Sequence, residues 1–185
     1  VFNGVRLMNR FEVAFRRSVA DYKVGNNADS IFGIPNEPPV DFDPYNATYN
    51  EIKLYLTPGL KYIREPKEKI FLGSKWPTFY VMWKKGIPGL FKSEINFDYL
   101  EFGFEQNINL GVLGNTSYII KTGDFFNTKD LRIIDFKYMR QGDPLFFQNP
   151  QNSFQSLDST FPVFDRFFQG NLLHEFNGAL INKVP

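Results

Sequence analysis

Apolar and polar residues alternate along most of this chain with a period of two. From Val5 to Arg16 the odd positions are Val5, Leu7, Asn9, Phe11, Val13 and Phe15, and the even positions are Arg6, Met8, Arg10, Glu12, Ala14 and Arg16. The first set is apolar except for Asn9, and the second holds every charge in the segment. Successive side chains of a β-strand point to opposite sides, so the segment reads as a two-faced strand. Wound as a helix, the same residues would spread charge around the circumference and bury no continuous stripe.

The pattern recurs. Around 48–63, Ile52, Leu54, Leu56, Leu60 and Tyr62 oppose Glu51, Lys53, Tyr55, Thr57 and Lys61, with Pro58 marking a bulge or a strand rim. Around 77–85, Phe79, Val81 and Trp83 oppose Thr78, Tyr80 and Lys84. Over 95–110, Leu100, Phe102, Phe104, Ile108 and Leu110 oppose Glu101, Gly103, Glu105, Asn107 and Asn109. Gly111-Val112-Leu113-Gly114 is a tight turn into a fifth strand over 115–123. A shorter candidate covers 131–138, and 164–176 is the last clear one. The expected fold is all-β, an antiparallel up-and-down meander.

Length sharpens this expectation. Strands of soluble domains run to about 5–6 residues, whereas a tilted strand crossing a bilayer needs roughly 9–11. Several segments reach the longer value, so the meander is expected to supply roughly six to eight strands of a larger transmembrane β-barrel. Such barrels alternate short periplasmic turns with long external loops. Placing the turn at 111–114 on the periplasmic side puts 86–94 outside, 64–76 in the periplasm and 19–47 outside. The last stretch is rich in Gly, Pro, Asn and Asp, as suits a solvated loop. The 64–76 stretch is long for a periplasmic turn.

Composition adds three points. The 22 Phe, 9 Tyr and 2 Trp make 18% of the chain, a load that a barrel places on its lipid face and in its interfacial girdles. A net charge of +1 lacks the concentrated basic charge that phosphate binding needs, so nucleic acid is not an expected partner. There is no Cys, which excludes disulfides, thiolate metal sites and a Cys nucleophile. A mean hydropathy of −0.30 decides nothing, because alternating strands average to a soluble-like value. The 185 residues begin and end within the pattern, so the whole of 1–185 is expected to be one partial barrel domain, truncated at both ends.

Candidate chemistry is sparse. The ionisable residues of the polar faces, Arg6, Arg10, Glu12, Arg16, Glu51, Lys53, Glu101 and Glu105, are the candidate lumen-facing set, with Arg6, Arg10 and Arg16 expected to pair with Glu101 and Glu105. The competing reading makes them the solvated face of a soluble β-sandwich or lipocalin-like module that binds a small ligand. His174 is the only histidine, and no G-x-S-x-G or H-E-x-x-H accompanies it. Its neighbour Glu175 falls on the opposite strand face, so no catalytic pair forms within the strand. No enzyme activity and no cofactor is expected. Asp41 and Asp43 lack the spaced acidic loop of a calcium site. Asn46 and Asn115 begin Asn-x-Ser/Thr triplets, a common coincidence. Trp76 and Trp83 are either interface anchors or core residues.

One ordered series of motifs carries a resemblance. It comprises Lys61-Tyr62-Ile63, then Phe71-Leu72-Gly73-Ser74-Lys75-Trp76-Pro77-Thr78-Phe79, then Lys85-Gly86-Ile87-Pro88-Gly89-Leu90-Phe91. Phe97-Asp98-Tyr99-Leu100-Glu101, Leu110-Gly111-Val112-Leu113-Gly114, His174-Glu175-Phe176-Asn177-Gly178 and Asn182-Lys183-Val184-Pro185 continue it. From about Thr48 onward the chain resembles the barrel region of a family of uncharacterised outer-membrane proteins. Their N-terminal part is a carboxypeptidase-regulatory-like β-sandwich, and their barrel is distantly similar to outer-membrane assembly and translocation barrels. Gly73, Ser74, Pro77, Gly86, His174, Phe176, Asn177, Gly178, Asn182 and Pro185 are the motif positions matched. The family usually has two histidines before Phe-Asn-Gly, and Glu175 stands at the second. The resemblance implies the outer membrane of a Gram-negative cell, with its lipid bilayer and other envelope proteins as candidate partners. It supplies no activity; the role expected of such a barrel is transport, assembly or surface scaffolding.

Overall fold

The computed structural model describes residues 4–18, 42–66, 68–139, 150–151, 153–154 and 161–176. Its strands are β1 (Val5–Arg16), β2 (Tyr45–Leu56), β3 (Lys61–Arg64), β4 (Lys69–Gly73), β5 (Thr78–Gly86), β6 (Asn96–Asn109), β7 (Asn115–Asp130), β8 (Lys137–Met139), β9 (Phe161–Val163) and β10 (Arg166–Glu175). Six of them form one antiparallel sheet in the order β1-β2-β5-β6-β7-β10, and β3-β4 and β8-β9 form separate two-stranded sheets. Neighbours in the large sheet follow one another along the chain once the two small sheets are set aside. The expected antiparallel meander is therefore the observed one. Among the described residues there is no α-helix, only 3-10 turns at 90–92, 111–113 and 133–135.

Three details differ from the sequence expectation. The strand expected over 48–63 ends at Leu56, because Pro58 lacks an N–H for the ladder and Gly59 takes a left-handed φ of 60°. Residues 64–76, expected as a plain turn, hold most of the hairpin β3-β4, with Tyr62 opposite Phe71 and Ile63 opposite Ile70. Residues 131–138 form a 3-10 turn before the short β8, where adjacent Ile133 and Ile134 break the alternation. The β6-β7 turn at 111–113 is as tight as its glycines suggest. Gly114 has a φ of 104°, and a Cβ there would collide with the Glu175 carbonyl oxygen.

The registers assign each residue to a face. Opposed pairs such as Glu51↔Lys84, Lys84↔Tyr99, Met82↔Glu101, Gly103↔Lys121 and Lys121↔Gln169 carry one face across the sheet. This polar face is the buried one across its middle, while Arg6 and Arg10 on β1 and Glu105, Asn107 and Asn109 on β6 are exposed. Tyr99 is 3% exposed, Glu101 4% and Gln169 5%. The opposite, apolar face lies open: Leu7 is 67% exposed, Leu172 73% and Phe168 75%, with Leu54, Val81, Leu100 and Phe102 also exposed.

Glycines opposite aromatic rings close the polar face. Gly86 pairs with Phe97, Gly103 with Tyr80 and Gly123 with Phe167. A Cβ on Gly103 would stand 2.6 Å from the Tyr80 ring, and one on Gly86 2.7 Å from the Phe97 ring. Each ring lies over the bare backbone of its neighbour, a device that pins register in a strongly coiled sheet. The fully or nearly buried core is this face's aromatic end: Tyr45, Ala47, Tyr49, Ile95, Phe97, Tyr99, Phe125 and Phe167.

Candidate functional site on the polar face

The strand period places all eight candidate ionisable residues on the same side. Arg6, Arg10, Glu12 and Arg16 on β1, Glu51 and Lys53 on β2, and Glu101 and Glu105 on β6 share the polar face by register. Their pairing differs from expectation. Arg10 and Arg16 bridge Glu12 on their own strand, at 2.7 and 3.2 Å. Arg6 stacks on Tyr55, 4.2 Å from the ring centroid. Among the described residues no ion pair runs from β1 to β6. The two strands stand three positions apart, roughly 14 Å at ~4.8 Å per strand, which exceeds side-chain reach.

Glu101 is the centre of the face. Tyr80 donates to Glu101 Oε1 at 2.8 Å, and Tyr99 donates to Oε2. Lys137, from the segment that follows β7, reaches Oε2 at 3.1 Å. A buried carboxylate is tolerated only with such donors and a counter-charge. Beside this cluster Lys53 lies 4.2 Å from the Tyr80 ring centroid and Lys84 4.8 Å from that of Tyr49. A cavity of about 340 Å³ between Arg10, Glu12, Arg16, Tyr49, Glu51 and Lys84 opens on the β1 side. Polar residues then continue to the turn end: Glu105, Asn107 and Asn109 on β6 and Asn115 and Ser117 on β7.

Asp135, in the 3-10 turn that precedes Lys137, is 6% exposed and its Oδ2 has no hydrogen-bond partner. Burial pushes its carboxyl above the usual carboxylate range, and nearby Tyr49, Lys84 and Arg16 only partly offset this. Lys137, Asp135, Tyr80 and Tyr99 were outside the candidate set. The alternation does place Tyr80 beside Lys84 and Tyr99 beside Glu101, so the tyrosines carried a signal. Lys137 and Asp135 carried none, because the strand residues they meet lie far off in sequence, 36 residues away for the Lys137–Glu101 pair.

The apolar face has polar edges. Toward the 86–97 end, Lys85 pairs with Asp98 at 2.9 Å, and Asn127 donates to Asp98 at 3.0 Å. Trp83 keeps its ring in the apolar band and donates Nε1–H to Asp98 at 3.1 Å. Toward the opposite end, Tyr118 donates to Gln106 at 2.7 Å. Trp76 lies exposed beyond β4.

The remaining candidates are structural. His174 Nε2 faces the Leu113 carbonyl at 3.1 Å and Nδ1 faces the Thr116 hydroxyl at 2.8 Å. A carbonyl only accepts, so Nε2 carries the proton, and the ring ties the end of β10 to the β6-β7 turn. Ser74 donates to the Pro58 carbonyl and accepts from Trp76 N–H at 3.0 Å, which closes the base of the β3-β4 hairpin beside Gly73 and ahead of Pro77. Gly86 gives way to Phe97, and Phe176 packs edge-on against His174 at 4.3 Å. Asn177, Gly178, Asn182 and Pro185 lie outside the described residues, as does Asp41. Among the described residues no group of His, Asp or Glu has metal-binding geometry.

These features define an all-β sheet protein whose charged face is buried at its centre and whose apolar face is open. The chain belongs to the DUF5686 C-terminal domain family, a family of unknown function whose model matches residues 1–185. No curated protein and no solved structure matches it.

Proposed function

We propose that this domain is part of an outer-membrane β-barrel, with the polar face lining the lumen and the apolar face against lipid. The inversion of the sheet carries this reading. Leaving Leu7, Phe168 and Leu172 in water forfeits ~1.5–3 kcal/mol each, whereas lipid recovers that term. A soluble sandwich would turn these residues inward against a second sheet and leave Glu101 and Lys121 to solvent.

Strand length and rim chemistry support the same reading. The main-sheet strands have 12, 12, 9, 14, 16 and 10 residues. At ~3.3 Å per residue and a tilt of ~40°, even ten residues rise ~25 Å, the height of an outer-membrane apolar band. Trp83 and Tyr118 place amphipathic rings near opposite ends of the band, as interfacial girdles do. The lipid bilayer is then the first partner, and the role is transport, assembly or surface scaffolding, with other envelope proteins as candidate partners.

The test uses the complete parent protein. It should fractionate with the outer membrane, require detergent for release, and run at two mobilities on a mild-detergent gel before and after heating. A protein recovered in the soluble fraction without detergent would sink the reading.

A further inference from the structure

The connection from β7 to β10 does not merely turn the chain back. Its described residues lie against the polar face at several points. Leu131, Met139 and Val163 pack on the aromatic core cluster. The Arg132 guanidinium lies over the Tyr45 ring at 5.4 Å, and the Lys137 ammonium over the Phe167 ring at 5.6 Å. Asp135 is buried beside Tyr49. Lys137 supplies the only cation paired with Glu101 among the described residues. β9 pairs with β8, so the inserted piece carries its own two-stranded clasp.

A solvated loop would not show this chemistry. Glu101 already takes hydroxyl donors from Tyr80 and Tyr99, yet two neutral donors leave a buried negative charge uncompensated. The cation in contact with Glu101 comes from the connection; Lys121 on the neighbouring β7 acts on it only at longer range. The face is thereby completed only when residues 131–139 are seated on it.

We infer that residues 131–139, clasped by β9, are an inward-folded plug that closes the lumen, with the Lys137–Glu101 pair as its latch. The inference rests on the barrel reading and adds that the barrel is closed at rest, so that passage requires the connection to leave its seat. Barrel lumens filled by a folded-in segment are a recognised architecture; here the latch is formed by Lys137 and Glu101.

Two measurements on the complete, membrane-inserted protein test it. In planar bilayers the wild type should be closed for most of the record. Lys137→Glu, which sets two carboxylates against each other, should raise the mean conductance several-fold, and the Lys137→Glu/Glu101→Lys exchange should restore closure. A wild type that conducts steadily, at the level of K137E, overturns the plug. Should the charge reversal fail to insert, accessibility decides. These 185 residues hold no cysteine, so Met139→Cys, in a parent protein cleared of any cysteine outside them, provides a single thiol. A membrane-impermeant maleimide should label it at least several-fold more slowly than a thiol at exposed Lys129→Cys, and equal rates overturn the plug. Loss of membrane insertion in the wild type itself sinks the barrel and the plug together. A heat-modifiable barrel with equal labelling and equal conductance sinks only the plug.

Discussion

At the scale of single residues, the fit between glycine and aromatic ring sets the strongest expectation. Gly103→Val would place branched carbon where the Tyr80 ring lies 2.6 Å from an added Cβ, and Tyr80 would have to leave Glu101. Overpacking of this kind costs ~1–3 kcal/mol, and the lost hydrogen bond adds to it. Gly170→Ala is the matched control, since nothing lies within 4 Å of an added Cβ there, and it should change stability by less than ~0.5 kcal/mol. Urea titration of the heat-modifiable band reads both. Asp135 sets a second expectation. Its raised carboxyl pKa means that the folded state holds the proton more tightly than the unfolded one. Stability therefore falls as pH rises from the ordinary carboxylate value through the raised one, and recovers on acidification. The groups facing it are Tyr45 and Tyr49 on β2, Lys84 on β5, Glu12 and Arg16 on β1, and Tyr138 of its own segment. Seating of residues 131–139, followed by the ratio of maleimide labelling at Met139→Cys to that at Lys129→Cys, should tighten as pH falls, and Asp135→Asn should flatten that dependence. The eight candidate ionisable residues could be set on one face from alternation alone, because period two fixes the side of every strand residue once one is known. Who pairs with whom could not. Arg10 and Arg16 choose Glu12 because it is on their own strand, and Glu101 turns to a lysine that no strand period predicts.

At the scale of elements, the sense of the sheet is the property to challenge. Phe102 sits mid-strand on the open apolar face, and Glu105 sits three residues on, exposed on the polar face. Phe102→Arg should cost ~2–4 kcal/mol if that face meets the bilayer midplane, and Glu105→Gln should cost far less. A soluble domain would respond in the opposite sense, with Phe102→Arg neutral or improving solubility. Folding yield into detergent micelles or vesicles, compared for the two variants, separates these outcomes. Of the elements themselves, the six long strands were legible because their alternation persists over at least nine residues. The β3-β4 hairpin was not. Pro66 and the charges from Arg64 to Lys69 read as a loop, and its strands have only four and five residues. Its apolar residues Tyr62, Ile63, Ile70 and Phe71 nevertheless oppose one another in register, a pairing visible only once the two halves are set side by side. β8 and β9 have three residues each and were too short for any periodic signal.

At the scale of the whole molecule, β1 and β10 are the edges of the six-stranded sheet among the described residues, and such edges offer a row of backbone groups for further pairing. The 185-residue piece in isolation should therefore aggregate in water and show no cooperative melt by circular dichroism; a sharp two-state transition of a soluble monomer would refute this and, with it, the need for further strands. The connections between neighbouring strands also differ widely in length. Residues 110–114 join β6 to β7 and residues 87–95 join β5 to β6, whereas residues 17–44 precede β2 and residues 131–165 precede β10. Closing a loop about sevenfold longer costs ~1.7 kcal/mol more in chain entropy. The tight glycine turn thus has a kinetic meaning as well as a geometric one. The β5-β6-β7 meander should be the first part of the sheet to form, with β1 and β10 added to a template already in register, and the Lys137 segment arriving last, when both Tyr80 and Tyr99 already hold the carboxylate it must meet.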